Sequence, residues 1–552
     1  MLAKDDLNPG DELLFCALGG SGEIGMNVNL YGCRGQWLMV DLGMSFGAAE
    51  YPGTELIFAD LDFIEERRDK LLGVVLTHAH EDHIGAVPYF ALDLGVPLYA
   101  TPFTAKLVMA KLEEAGIANE VELIVVEDED SFQLGAFSIR YVPLAHSIAE
   151  GNALVIETPH GRIFHTGDWK LDDEPLVGEP ATPAELTAIG DEGVLALVCD
   201  STNVFNPEAS GSEGDVARGL LAEVEKHKGR RVLVTTFASN VARLQTLGEV
   251  AKATNRRLCV AGRSLDRIIG VAKACGYLAE MPDIVDMDSA MDLPRGEVLI
   301  LATGGQGEPR AALSRIAEQS HPISLESGDV VLFSSRQIPG NEIAIGRIQN
   351  TLAQRGIRIV TDRQSEIHVS GHPGRPELEA LYGWIRPKIL VPVHGEVRHM
   401  REQARLGRAR GIPQAVDQKN GDLVRLAPGK PGKIAEVRNG RLILDGDIIS
   451  PAEGPAMVMR RRLAHNGMVM VALGGKGKVR VEALGLPLVE DYDAFVREAE
   501  ADVHAAIAKL RGGARRDPDA VSEAARLAAR RAATRWSGKK PQVKVVDLEA
   551  ER

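Results

Sequence analysis

The sequence predicts an α/β protein, and three features carry that expectation. The apolar run Gly73-Val74-Val75-Leu76-Thr77 stops at a polar cluster and is followed by Ile84-Gly85-Ala86-Val87, a strand, loop and helix in succession. Between Arg231 and Phe333, strand-like and helix-like stretches alternate, which implies a mostly parallel, helix-covered sheet. From residue 12 to about 200, short apolar strands are broken by glycine, with polar residues at their ends.

Taken in order, Leu18 to Asn27 is glycine-rich and leads into Met26 to Tyr31, which alternates like a strand. Trp37-Leu38-Met39-Val40 ends at Asp41, and Ile163-Phe164 runs toward Asp168. Asn206-Pro207-Glu208-Ala209-Ser210-Gly211-Ser212 reads as a hinge. Beyond it, Arg231 to Phe237 predicts a strand, Asn240 to Thr254 a helix, and Leu258 to Ala261, Val298 to Leu301 and Val330 to Phe333 further strands. Ile389-Leu390-Val391-Pro392-Val393 resembles the first block again. A last block follows Pro451, with a strand at Met468 to Val471, a helix from Asp491 to Leu510, an Ala/Arg-rich helix near Val521 to Trp536, and a strand at Val543 to Val546.

A chain of 552 residues with 45% hydrophobic content suffices for several cores. No run of 18 apolar residues occurs, so no membrane span is expected, and the first residues lack the basic-then-apolar pattern of a signal peptide. Five scattered cysteines, never in Cys-x-x-Cys spacing, predict buried thiols in a reducing cytoplasm. The net charge of −15 does not exclude nucleic acid, because the block from Pro451 carries 19 basic against 14 acidic residues, and bound metals themselves neutralise phosphate.

The chemistry concentrates in His78-Ala79-His80-Glu81-Asp82-His83. His78 and His80 lie two apart and can grip one metal; Asp82 and His83 can face a second. Only 14 histidines occur in the chain, so three within six positions point to a metal site. Strand-end residues then line up as further candidates. His146 follows Val142-Pro143-Leu144, and Asp168 follows the strand through Phe164. Asp41 reads either as the orienting partner of a ligating histidine or as a turn residue.

The ordered set His78, His80, Asp82, His83, His146, Asp168 and His394 resembles the metallo-β-lactamase superfamily. Asp200 in Cys199-Asp200-Ser201-Thr202-Asn203, His372 in His368-Val369-Ser370-Gly371-His372-Pro373, and His394 in Val393-His394-Gly395-Glu396 resemble the three extra motifs of its β-CASP branch. With the opening Leu18 to Asn27, the chain is similar over nearly its whole length to the ribonuclease J family.

That resemblance implies a metallo-β-lactamase αββα sandwich (residues 1–205 and 374–450), an inserted β-CASP parallel α/β domain (206–373) and a small α/β C-terminal domain (451–552). It implies a metal-dependent ribonuclease of RNA processing and decay. Such an enzyme acts as a 5′-to-3′ exonuclease favouring 5′-monophosphate RNA, with endonuclease activity beside it. Two zinc ions, with manganese or magnesium as alternatives, would be held by His78, His80 and His146 and by Asp82, His83 and His394, with Asp168 bridging. A hydroxide between them would attack phosphorus in line and leave 5′-phosphate and 3′-hydroxyl ends. Asp200 and His372 would sit near the leaving oxygen, His372 as proton donor. Ser239, Asn240, His368, Ser370, Gly371 and His372 would cradle the 5′-phosphate, although Ser239-Asn240 equally suits a helix cap. Single-stranded RNA, a second or fourth copy of the chain and an RNA-decay helicase are the partners implied, in the cytoplasm.

A DNA-processing β-CASP nuclease is the alternative. His394 counts against it, because the DNA-acting relatives usually carry an apolar residue there. A small-molecule hydrolase would have no use for the long insert, and a non-catalytic scaffold none for the intact ligand set. Two glycine motifs are set aside. Gly20-Ser21-Gly22-Glu23-Ile24-Gly25 is followed by a strand pattern where a dinucleotide site needs a helix, so it predicts a tight turn near the metals. Thr303-Gly304-Gly305-Gln306-Gly307-Glu308 lacks the Gly-Lys-Ser/Thr ending of an ATP-binding loop; it either lines the RNA path or forms a turn.

Overall fold

The computed structural model describes residues 7–47, 50–127, 131–337, 340–488 and 490–548. It falls into two compact units, one within Met1–Ser45 and Phe58–Gly440, the other within Phe46–Ile57 and Arg441–Arg552.

The first unit holds two facing sheets and a third, inserted one. The eight-stranded sheet has the order Gly432–Glu436, Asp422–Ala427, Leu13–Gly19, Val28–Cys33, Gln36–Val40, Leu71–Val75, Leu98–Ala100, Leu123–Val125. The seven-stranded sheet runs Ser131–Leu134, Phe137–Pro143, Asn152–Thr158, Gly161–His165, Ala196–Asp200, Ile389–Val393, Gln414–Ala415. Strands bury alternate residues against the opposite sheet, so Phe15, Leu38, Val40 and Val75 meet Ile139, Tyr141, Leu154, Val198 and Val391 in one core. Helices cover the outer faces. Leu186, Ile189, Leu378, Leu381 and Ile385 from Pro183–Asp191 and Arg375–Ile385 pack on Phe164, Leu197 and Leu390. The result is the four-layered αββα sandwich.

The insert is a six-stranded, wholly parallel sheet in the order Ile284–Val285, Arg257–Ala261, Val298–Ala302, Val232–Thr235, Val330–Phe333, Arg358–Thr361. Its first strand, Val232–Thr235, lies between two later ones, so the chain's travel across the sheet reverses there. Ligand crevices of open α/β sheets open at such a point, beyond the carboxyl ends of the strands. The loops there are Thr236 to Asn240, Thr303 to Glu308 and Ser334 to Gln337. Gly305 is confined by space: a Cβ would stand 2.6 Å from Ser335 Oγ and 3.2 Å from Thr235 Oγ1.

The second unit has a three-stranded sheet in the order Lys478–Leu484, Met468–Gly474, Gln542–Asp547. Helices Tyr492–Ala508 and Pro518–Ser537 cover it, with Phe495, Ala499 and Val503 against Ala525, Ala528, Ala529 and Ala532. Lys478–Leu484 is a strand beyond those the sequence pattern predicts; buried Val479 and Val481 alternate there with exposed Lys478, Arg480 and Glu482. The unit also takes in Phe46–Ile57, a segment that patterning alone leaves with the first block. Of the arginines on the last helix, Arg526 pairs with Glu523, and Arg535 with Glu498 and Asp502. Among the described residues no helix is long and apolar enough to cross a membrane. Four of the five free thiols are buried and Cys275 is half-buried.

Candidate metal centre

The candidate residues stand at the carboxyl ends of strands in both facing sheets. Asp41 follows Gln36–Val40, His78 and His80 follow Leu71–Val75, His146 follows Phe137–Pro143, Asp168 follows Gly161–His165, Asp200 ends Ala196–Asp200, and His394 follows Ile389–Val393. A helix starts inside the histidine cluster: His80 is extended, and Glu81–Ile84 forms one helical turn carrying Asp82 and His83. Two of these residues have left-handed backbones, Asp41 at φ 64° and His394 at φ 49°. Such conformations cost about 1–3 kcal/mol for non-glycine residues and persist where packing enforces them, often at functional sites.

Three groups of side chains converge and share Asp168; the third, Asp168, Asp200, His372 and His394, overlaps the second. In the first, His78, His80, His146 and Asp168 offer ligand atoms all within 4.8 Å of one another; in the second, Asp82, His83, Asp168 and His394 do the same. His78 Nε2 lies 3.2 Å and His146 Nε2 3.0 Å from His80 Nδ1. Asp168 Oδ2 lies 3.2 Å from His83 Nε2, and Asp168 Oδ1 lies 3.0 Å from His394 Nδ1. His394 Nε2 is 3.1 Å from Asp82 Oδ2.

The electrostatics divide the same way. Burial and the neighbouring imidazoles push His78 and His146 well below the usual histidine range, and His80 falls to about 4, mainly by burial. These rings are neutral at pH 7 and their lone pairs face one another. Burial also opposes charge on His83 and His394, but the Asp168, Asp41 and Asp82 carboxylates outweigh it at His83, as Asp168, Asp200 and Asp82 do at His394, and both are raised. Burial favours the protonated form of Asp168, yet the surrounding imidazoles hold it ionised. Three imidazole nitrogens turned to one point can hold a cation between them. Asp168 Oδ1, buried and without a well-directed hydrogen bond, is a further orphaned acceptor. The residues therefore fit divalent metal ions.

The outward-facing nitrogens are tied down. His83 Nδ1 lies 2.7 Å from Asp41 Oδ2, and Asp41 also accepts from the Thr77 backbone N–H at 2.8 Å, so Asp41 orients a histidine and is more than a turn residue. His78 Nδ1 meets Thr77 Oγ1 at 3.0 Å, and His394 Nδ1, which also faces Asp168, meets Thr202 Oγ1 at 3.1 Å. His80 Nε2 meets Ser239 Oγ at 3.0 Å, and His146 Nδ1 donates to the Gly371 carbonyl at 2.6 Å. The glycine turn also packs here: Asn27 N–H donates to the Asp82 carbonyl at 2.8 Å, and His394 N–H to the Gly20 carbonyl at 2.6 Å.

Beside the two groups, His372 Nδ1 lies 2.7 Å from Asp200 Oδ2, while Asp200 Oδ1 accepts from the Thr202 N–H and hydroxyl at 2.8 and 2.7 Å. Burial lowers His372, but Asp200 and Asp168 prevail and raise it. Sequence reasoning missed Thr202, which links Asp200 to His394; its place two residues after a strand-end Asp, as in a local Asx turn, was the signal.

Ser370 Oγ accepts from Asn203 Nδ2 at 2.6 Å and from the His372 N–H at 3.0 Å, shaping the turn of residues 370–372. A Cβ at Gly371 would stand 2.9 Å from His146 Cε1 and 2.7 Å from Ser147 Oγ, so glycine keeps His146 in place. Asn240 is buried as the cap of helix Val241–Ala253: its Oδ1 accepts from the Arg243 N–H at 2.9 Å and its Nδ2 donates to Glu213 at 3.2 Å. Its side chain is thus committed to the fold. His368 lies against the Ser334 carbonyl, and its buried Nδ1 has no hydrogen-bond partner among the described residues. Burial first, then the positive field of Arg243, Arg336 and Lys170, hold His368 well below the usual range. Glu213 and Lys170 neutralise their neighbours internally, whereas exposed Arg336 forms no ion pair among the described residues.

This fold and site define a metal-dependent hydrolase of the metallo-β-lactamase superfamily with a β-CASP insertion. The metallo-β-lactamase superfamily family matches residues 25–196, the ribonuclease J β-CASP domain 229–352, the Zn-dependent metallo-hydrolase RNA specificity domain 356–416, and the ribonuclease J C-terminal domain 455–550. The chain belongs to the ribonuclease J family. It is 40% identical to ribonuclease J of Sinorhizobium meliloti, covering 98% of both chains. It is 39% identical to that of Mycolicibacterium smegmatis (85% of this chain, 84% of the other) and 34% identical to that of Thermus thermophilus (92% and 90%). A solved structure of a protein of unknown function from Enterococcus faecalis shares the fold at TM-score 0.53 and 16% identity, over 75% of this chain and all of the other. The protein is a metal-dependent ribonuclease that binds RNA.

Proposed function

We propose that the protein shortens RNA from its 5′ end, favours a 5′-monophosphate, and also cuts internally. The observation that carries this reading is the exposed Arg336 guanidinium, free of ion pairs among the described residues, close to His368, whose buried Nδ1 has no hydrogen-bond partner among them. An anionic 5′ end would satisfy both. The same turn continues through Ser370 and Gly371 to His372 beside the metal groups, so a terminal phosphate held there would leave the next phosphodiester near Asp168. Ser239 belongs to this pocket, and Asn240 supports it as the helix cap.

In this reading His78, His80 and His146 hold one cation, Asp82, His83 and His394 the other, and Asp168 both. Two bound divalent cations supply an activated water and neutralise charge on the phosphoryl group. Five imidazoles with two carboxylates favour zinc or manganese over magnesium, which prefers oxygen ligands. His372, oriented through Nδ1 by Asp200, keeps Nε2 free of protein partners among the described residues and donates its proton to the departing 3′-oxygen. Products carry 5′-phosphate and 3′-hydroxyl. By its motifs the catalytic domain spans 1–205 and 374–450, the insert 206–373 and the C-terminal domain 451–552, although residues 46–57 and 441–450 fall in the same compact unit as the C-terminal domain. The last supports a homodimer or homotetramer, and a helicase of RNA decay is the expected partner, in the cytoplasm.

Arg336→Ala and His368→Ala test the pocket. Losing a charged hydrogen bond of about 1.5–3 kcal/mol predicts roughly 10- to 100-fold slower decay of 5′-monophosphate RNA. Internal cleavage of 5′-hydroxyl RNA should change little. Equal losses on both substrates would remove the pocket from the account.

A further inference from the structure

We propose that Ser239 is a positioning residue for His80, and that loops of the insert complete one of the two cation sites and not the other. The inference rests on the two-cation reading above and concerns what the insert adds to it.

The two groups are held differently. In the second, the outer contacts come from the sandwich itself: His83 leans on the Asp41 carboxylate, and His394 on Thr202, which follows strand Ala196–Asp200. In the first, only His78 is held from nearby, by Thr77. His80 and His146 reach across to Ser239 and to the Gly371 carbonyl, 159 and 225 positions away in sequence. Orienting an imidazole through its second nitrogen fixes its tautomer and direction, and losing such a partner typically costs about 10- to 100-fold in metal affinity or activity. Gly371 contributes through its backbone, so Ser239 is the contact that substitution can remove.

Ser239 is well placed for this role because the next residue is fixed. Asn240 caps the following helix and reaches Glu213, which the buried Arg243 holds in turn. A hydroxyl on so firmly held a turn can set a ring direction. The first site has three imidazoles with one carboxylate, Asp168, and uncharged outer partners, while the second has two imidazoles with two carboxylates, Asp82 and Asp168, and the Asp41 carboxylate behind His83. The first is therefore the weaker site and the one that depends on the insert being seated.

The test is cobalt(II) titration of the metal-stripped full-length chain against a chromogenic chelator, with the visible absorption of the bound ion recorded at each addition. Wild type and Ser239→Thr should bind two ions with unequal affinity. Ser239→Ala should weaken the looser ion by about 10- to 100-fold, alter its absorption band and leave the tighter ion unchanged. Two ions bound by Ser239→Ala at wild-type affinity would overturn the inference, as would equal loss of both. Weakened binding of a nucleoside 5′-monophosphate with unaltered cobalt binding would also overturn it, and would confine Ser239 to the phosphate pocket. Failure of the wild type to take up two ions would instead overturn the two-cation reading itself.

Discussion

Replacing Asp168 by asparagine should abolish RNA hydrolysis, with turnover falling at least about a thousandfold. The size follows from the several kcal/mol of charge stabilisation a divalent cation gives, at about 1.36 kcal/mol per factor of ten. Asp168 is the residue common to all three four-residue groups, 2% exposed, with one carboxylate oxygen 3.2 Å from His83 and the other 3.0 Å from His394. Asparagine keeps the shape but has one donor-bearing end and no charge, so it cannot serve two cations. Metal analysis after gel filtration should find fewer than two ions per chain. Full turnover with two ions retained would show that Asp168 does not bridge.

The second large effect is on stability. Arg243→Ala should cost about 3–5 kcal/mol, read as a lower urea midpoint, because it strands the Glu213 carboxylate in the interior. Arg243 is fully buried. It grips both Glu213 oxygens at 3.0 Å and donates to the Ser334 carbonyl at 2.9 Å, the Ser334 hydroxyl and the Ile367 carbonyl at 3.2 Å. Those carbonyls fix the loops that carry Arg336 and His368. Replacing the pair together, as Arg243→Met with Glu213→Leu, should recover much of the loss, since no uncompensated charge remains. A double variant no more stable than Arg243→Ala would contradict the buried-charge explanation.

Much of the sandwich and of its ligand cluster was legible in the sequence because the signals are local. His78 to His83 packs a ligand spacing into six residues, and His146, Asp168 and His394 each follow an apolar strand. The helices ran close to expectation: Asp491 to Leu510 is Tyr492–Ala508, and Asn240 to Thr254 is Val241–Ala253 with Asn240 as its cap. What could not be read is what depends on tertiary distance. Which nitrogen of His80 or His146 turns inward is set by Ser239 and Gly371, far along the chain. Arg243 sits on a helix that the sequence predicts without showing which of its polar residues turn inward; only the assembled insert shows that it is buried against Glu213. Asp41 stood undecided between turn and ligand partner until His83 was placed beside it. The glycines of the 303–308 loop show no periodicity at all, and the tight fit of Gly305 comes from Thr235 at the end of one neighbouring strand and Ser335 in the loop after another.

In the function proposed above, one buried pair of cation sites, fed by a pocket for a phosphorylated 5′ end, degrades RNA. The most direct test is a time course on one single-stranded RNA carrying a 5′-monophosphate, 5′-triphosphate or 5′-hydroxyl, with manganese or zinc added and His80→Ala as control. The account predicts rapid release of mononucleotides from the monophosphate form, slower internal cutting of the other two, and none of either with His80→Ala. Internal fragments at equal rates from all three RNAs would contradict it.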